Sequence, residues 1–256
     1  LLFKLAIPTV VAQLINMLYN VVDRIYIGHM PGDGDLALTG VGVCMPLIMI
    51  VSAFAALVSS GGAPRASIHM GKGENGIAER ILGGCLTLQL VISAILTAVL
   101  LIWGRPLLLA FGASENTLPY AKEYMQIILI GNIITHLYFG LNAAMRSSGH
   151  PKKAMALTIF TVLFNAVLDP VFIFGLDMGI AGAAWATVIA QTVAMIVVLK
   201  HFSDRTRAFH FEKGVVRLDM RVAKDSLAIG MGPFLMNSAA CLVTLFINQQ
   251  LRKYCG

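Results

Sequence analysis

The chain has 256 residues, 57% of them hydrophobic and only 12% charged, with a mean hydropathy of +0.79. Soluble domains carry about 25% charged residues, so an ordinary soluble globular domain is excluded and the excess apolar surface points to lipid. The net charge of +6 would suit a nucleic-acid partner, but the basic residues fall in loops between apolar runs; membrane topology accounts for them and no nucleic-acid partner is expected.

Seven apolar segments follow one another near residues 5–27, 36–63, 81–103, 124–145, 154–174, 179–199 and 227–251. Each reaches about the 20 residues that a helix needs to cross the hydrocarbon layer. The runs are continuous and do not alternate with period two, so helices are expected and strands are not.

The first segment carries Gln13, Asn16, Asn20 and Asp23. Their spacing places them within about 80° of arc on one helix face. Such a stripe either hydrogen-bonds to neighbouring helices or borders a water-accessible cavity. Arg24 beside it reads as a side chain snorkelling to the interface. Turn clusters at 30–34 and 71–76 close the first and second segments. The fourth segment carries Tyr124, Asn132, Thr135, His136, Tyr138 and Asn142, with Arg146 just beyond; Tyr138, Asn142 and Arg146 share a face. His136 reads as a satisfied hydrogen-bonding residue.

The fifth segment holds Thr161, Asn165 and Asp169 at successive turns, followed by Pro170. Proline removes a backbone donor and crowds the carbonyl one turn back, so a kink is expected there. A carboxylate and freed carbonyls at a kink can form an oxygen-lined cation site, because hard cations want oxygen ligands. The sixth segment opens on the small residues Gly179, Ala181, Gly182, Ala183 and Ala184, which permit close helix contact. Thr187 and Gln191 follow as an i, i+4 pair. Asp23, Arg24 and Asp169 are the only charges inside the seven segments, and intramembrane charges usually mark function.

Residues 200–226 form a polar stretch, read either as a surface helix or as a solvated linker. The seventh segment opens on Leu227-Ala228-Ile229, echoing Leu5-Ala6-Ile7, and each is followed closely by a proline. The echo suits a six-helix unit that restarts at the seventh segment. Fourteen of the 19 Lys and Arg residues fall on one side if the amino terminus is cytoplasmic, so that orientation is expected. Cys44, Cys85, Cys241 and Cys255 show no C-x-x-C spacing and read as small apolar residues. The chain opens at Leu1 without Met and stops soon after an apolar run, so truncation at both ends is expected. H-E-x-x-H, Walker and G-x-S-x-G patterns are missing, and no enzyme is expected.

Several stretches resemble exporters of the multidrug and toxic compound extrusion (MATE) family. These are Pro8 through Asp23 to Gly28; Gly40-Val41-Gly42 with Pro46; 141–155, from Leu141-Asn142 through Arg146-Ser147-Ser148-Gly149-His150-Pro151 to Met155; Asn165 to Pro170; and 179–184 with Thr187. The resemblance implies an all-α membrane protein of twelve helices in two six-helix lobes. Residues 1–200 would supply the amino-terminal lobe, 201–226 the interlobe loop, and 227–256 the first helix of the second lobe. It implies a cation site at Asp23, Asn165, Asp169 and Thr187, with a backbone carbonyl near Ala183, taking sodium or a proton. Asn16, Asn20, Tyr124, Asn142 and Gln191 would be neighbouring polar residues. The implied activity is antiport, in a bacterial or archaeal cytoplasmic membrane, by a protein that is monomeric when full length. The implied substrates are amphipathic small-molecule drugs, organic cations above all. No cofactor beyond the coupling ion is expected. Residues 227–251 lack Asp and Glu, which disfavours a second carboxylate site on the seventh segment.

A flippase of lipid-linked sugars, of the same superfamily, is the nearest alternative; its cavity would be cationic to hold a diphosphate, whereas the charge here is carboxylate. An intramembrane prenyltransferase is disfavoured, because Ile173 stands where its second aspartate would follow Asp169. A channel or structural subunit without coupled transport is the third alternative.

Overall fold

The computed structural model describes residues 2–203 and 220–255; the side chains of 2–6, 8, 9, 12, 13, 16, 221, 222 and 251–255 lie outside the described residues. Among the described residues the chain is helix and turn, with no strand. The helices are α1 (Leu2–Gly28), α2 (Gly34–Gly71), α3 (Asn75–Ile102), α4 (Gly104–Ala110), α5 (Leu118–Ser147), α6 (Pro151–Pro170), α7 (Gly179–Ser203) and α8 (Met220–Cys255). A five-residue π turn, Val171–Gly175, continues α6.

Each of the seven apolar segments folds as one long helix. Among the described residues, six of the helices are long and apolar enough to cross a membrane: α2, α3, α5, α6 with its π turn, α7 and residues 223–250 of α8. The 27 residues of α1 span about 40 Å at 1.5 Å per residue. Most helices overrun the apolar runs that announce them. The 38 residues of α2 carry on past Arg65, and α3 starts at Asn75 and takes in Glu79 and Arg80. A charged residue ends an apolar run but not a helix, whose backbone satisfies itself on either side of the lipid boundary. The short α4 was not expected from the sequence; its seven residues, with Pro106 in the first turn, offer no period to read. Gly149, at φ 86°, supplies the left-handed conformation that ends α5, and Pro151 starts α6 where a missing N–H costs nothing. The surface helix or linker expected over 200–226 lies largely outside the described residues.

Two large apolar clusters hold the bundle, one near each end, with a small third of Val58, Leu88 and Ala223 where α8 joins α2 and α3. The first gathers Ile27, Val41, Cys44, Tyr124, Ile173 and Ala184 near the α1–α2 turn. The second gathers Ala66, Ile81, Leu141, Met145, Val198 and Phe202 near the α2–α3 turn. Polar side chains occupy the level between them. Gln89 donates to the Ala55 carbonyl at 3.1 Å, and Asn132 donates to Thr97 at 3.0 Å. On the outside, α1 shows a helical stripe of exposed Ile7, Val10, Leu14, Met17, Leu18, Val21 and Ile25. In water such a stripe would drive association; in a bilayer it is ordinary.

The tightest seam joins α2 to α8. A Cβ on Gly61 would sit 1.8 Å from the Ser226 carbonyl oxygen, and one on Gly230 would sit 1.7 Å from that of Leu57. Only hydrogen fits at either position. Phe54 and Phe234 meet edge to face at 5.0 Å, the Cys241 thiol donates to the Pro46 carbonyl at 3.2 Å, and Arg65 pairs with Asp225 at 2.8 Å. Cys44, Cys85 and Cys241 are free thiols, as their spacing suggests.

Candidate cation site between α1, α6 and α7

Asn165 and Asp169 face the same way because they lie one turn apart on α6. The Asn165 amide donates to Asp169 Oδ1 at 2.8 Å. Pro170 has no N–H to give the carbonyl one turn back, and after it the chain leaves α geometry for the π turn. The kink expected at Pro170 therefore takes the form of a widened turn. It closes against α7 at Gly182, whose Cβ would stand 2.8 Å from the Phe172 carbonyl carbon. This close approach brings Thr187 to Asn165, whose amide holds the carboxylate. Thr187 Oγ1 lies 3.5 Å from Asn165 Oδ1 and 3.1 Å from the Ala183 carbonyl, to which its proton can go.

Asp23 comes from α1, which packs chiefly on α6. Asp23 and Asp169 stand within electrostatic range of each other, and Tyr19 and Tyr124 within range of both. Both carboxylates are buried, Asp169 at 0% and Asp23 at 6% relative exposure. Each keeps one oxygen, Oδ1 of Asp23 and Oδ2 of Asp169, with no hydrogen-bond partner among the described residues. Arg24 is exposed and lies within electrostatic range of Asp23.

A cavity of about 170 Å³ extends from this cluster into the lobe. Tyr19, Asn165, Thr187 and Gln191 line its near part; Tyr138, Asn142, Arg146 and Thr158 line the far part. Of the neighbouring residues expected from the sequence, Asn142 and Gln191 line this cavity, and Gln191 accepts a hydrogen bond from Thr135. Tyr124 is buried beside the carboxylates. Asn20 is exposed and does not line this cavity. It lies about 60° round α1 from Asp23, enough to turn it off the buried edge. The side chains of Gln13 and Asn16 lie outside the described residues. His136 is fully buried and bonds through Nδ1 to the Asn132 carbonyl at 3.2 Å, away from the carboxylates.

Tyr19 was missed. Its hydroxyl lies 3.2 Å from Thr187 Oγ1, tying α1 to α7 beside the site. The signal was present, since Tyr19 precedes Asp23 by one turn; an aromatic residue in an apolar run simply reads as core.

The donor set fits a small hard cation or a proton. Two carboxylates, an amide oxygen and a hydroxyl offer oxygen alone. Among the described residues no group of three or more His, Cys, Asp or Glu forms, so the arrangement differs from a nitrogen- or sulfur-rich transition-metal centre. Two buried carboxylates with unsatisfied oxygens require a compensating positive charge.

Fold and site together define a lobe of a helical membrane transporter. The model of the MatE family matches residues 8–171, and the chain belongs to that family. It is 24% identical over 249 residues to the multidrug export protein MepA of Staphylococcus haemolyticus, covering 97% of this chain and 55% of that protein. It is 26% identical over 221 residues to an FAD transporter of Shewanella oneidensis, covering 83% and 48%. Among solved structures, an outward-facing multidrug resistance MATE family transporter of the MOP superfamily superposes with a TM-score of 0.83 at 26% identity, over 91% of this chain and 51% of that one. The chain thus spans about half the length of the curated relatives it matches.

Proposed function

We propose that this chain is the amino-terminal part of a cation-coupled exporter of small molecules, not an enzyme, and that Asp23, Asn165, Asp169 and Thr187 hold the coupling ion. Residues 1–200 belong to its first lobe and 227–256 begin the second; α7 and α8 run past these bounds, to Ser203 and from Met220, which shortens the interlobe loop expected over 201–226. The observation that carries the reading is the pair of buried carboxylates, each with an oxygen lacking a partner. Burying an uncompensated charge costs several kcal/mol, so the site favours a sodium ion or a proton over remaining bare.

Asp23 sits on α1, while Asn165, Asp169 and Thr187 sit on α6 and α7, so occupancy changes the contacts of α1 with the rest of the lobe. Tyr19 and Thr187 report the same contact from a second point. Coupling follows if the cation binds the outward-open state more tightly and the substrate the inward-open state. Substrates are amphipathic organic cations, which suit apolar walls with a carboxylate; the multidrug export name of a relative supports this. The amino terminus is cytoplasmic by the distribution of Lys and Arg, the curated relatives named above are bacterial, and the full-length protein works as a monomer in the cytoplasmic membrane.

The test places the full-length protein in proteoliposomes loaded with a fluorescent organic cation, under a sodium or a proton gradient imposed separately. Gradient-driven movement is expected with one of the two, and its loss is expected in Asp23→Asn and Asp169→Asn. No movement under either gradient would sink the exporter; unaltered movement in both variants would discard the site.

A further inference from the structure

The far end of the cavity holds a charge that the coupling site does not use. Arg146, on the last turn of α5, is half-buried. It lines the slot that leads from Asn165 and Thr187, and it also lines an open pocket of about 460 Å³ between α2, α5 and the start of α6. No Asp or Glu lines either one. Among the described residues no hydrogen bond or ion pair reaches the guanidinium, whose one electrostatic neighbour is Tyr138. Three other polar groups of the slot donate to backbone carbonyls. Asn142 and Thr158 both donate to the Ala154 carbonyl, at 3.3 and 3.0 Å, and Thr161 donates to that of Leu157 at 2.8 Å. Beside the guanidinium fork, the Tyr138 hydroxyl also lines the slot, two turns away on the same face of α5.

A guanidinium is a planar fork of five donors that matches carboxylate and phosphate oxygens. An unpaired cation in a partly apolar slot is costly unless something complements it. We propose that Arg146, assisted by Tyr138, forms an oxyanion subsite that takes the carboxylate or phosphate of a zwitterionic solute whose cationic end lies at the oxygens of Asn165, Thr187 and Gln191. The slot runs along α6 from Thr158 to Asn165, about 10 Å at 1.5 Å per residue, which sets the separation of charge that it accepts. From the exporter reading this takes only that solutes enter the lobe. The oxyanion could come from a soluble solute or from a lipid headgroup, since the chemistry is shared.

The test measures binding on the full-length transporter in lipid nanodiscs. The probes are an esterified rhodamine cation and its free-acid zwitterion, which differ only at the group that would meet Arg146. Arg146→Gln is expected to weaken the free acid about tenfold or more, as loss of a charge-assisted pair implies, and to leave the ester unchanged. Arg146→Lys keeps the charge without the fork and recovers part of the affinity. Tyr138→Phe weakens the free acid alone, by less. Unchanged ester binding shows that each variant is folded. Equal weakening of both probes, or no weakening of either, would overturn the subsite and leave Arg146 merely hydrated. Adding an anionic phospholipid to the discs separates the sources: a fall in free-acid affinity in the parent but not in Arg146→Gln supports the subsite with a headgroup as its occupant, and the Arg146-dependent preference without that fall supports it with a solute. Gradient-driven transport is not read in this assay, so either reading can fail without the other.

Discussion

The two interfaces that α6–α7 and α2 make with their neighbours differ in kind. Around Asp169 the contacts are polar: hydroxyls and an amide at 2.8 to 3.5 Å, carboxylate oxygens without partners, and a cavity alongside. Along α2 and α8 backbone lies on backbone at Gly61 and Gly230, with an aromatic pair and one ion pair beside them. The first interface has room and unsatisfied charge, so it can respond to an ion. The second has no room, so it holds two helices in one register. The two are built by opposite means: scarce charges at one, absent side chains at the other.

The difference can be broken or sharpened by four substitutions. The largest expected effect is Gly230→Leu. Its Cβ alone would fall far inside van der Waals distance of the Leu57 carbonyl, and the cost should exceed the 1–3 kcal/mol usual for an overfilled core, about 3 kcal/mol or more. A sharp fall in melting temperature in detergent is the readout, and a melt like the parent's would refute the tight seam. Next is Asp169→Asn, with the opposite profile. Stability without ion should hold or rise slightly, since a buried charge disappears. The stabilisation conferred by a saturating coupling ion, about 2.7 kcal/mol at a hundredfold excess over Kd, should vanish. Melts with sodium titrated against an inert cation, and with pH varied in parallel, check this. Thr187→Val removes the contacts to Tyr19 and Asn165 and should cost about 1 kcal/mol, with weaker ion-induced stabilisation. The smallest effect is expected for Arg65→Ala. Its partner Asp225 is largely exposed, and such pairs contribute about 0–1 kcal/mol; a shift of the melt as large as that of Gly230→Leu would mean that the ion pair, not the glycines, holds the seam.

Much of this was legible in the sequence because lipid simplifies the code. Continuous apolar runs gave the seven long helices, and the i, i+4 spacing of Asn165 with Asp169 placed them together as the structure does. Helix ends were harder, since Arg65 and Glu79 interrupt hydropathy without interrupting hydrogen bonds. A stripe has an edge, and Asn20 stands on it, exposed where Asp23 is buried. Tyr19 was overlooked because a phenol in an apolar run looks like packing until its partner on α7 is known. The α2–α8 seam was invisible: nothing distinguishes Gly61 from Gly62 until the opposing carbonyl is seen.

The widened turn after Pro170 has a consequence for engineering. Its backbone at Phe172 rests directly on Gly182, three residues from Asp169 along the chain. A single methyl at position 182 would press on that turn and pass the displacement to the aspartate without adding or removing any charge. On the proposed reading, Gly182→Ala is a remote dial on ion affinity: it would alter how the carboxylate is aimed without removing any oxygen of the site.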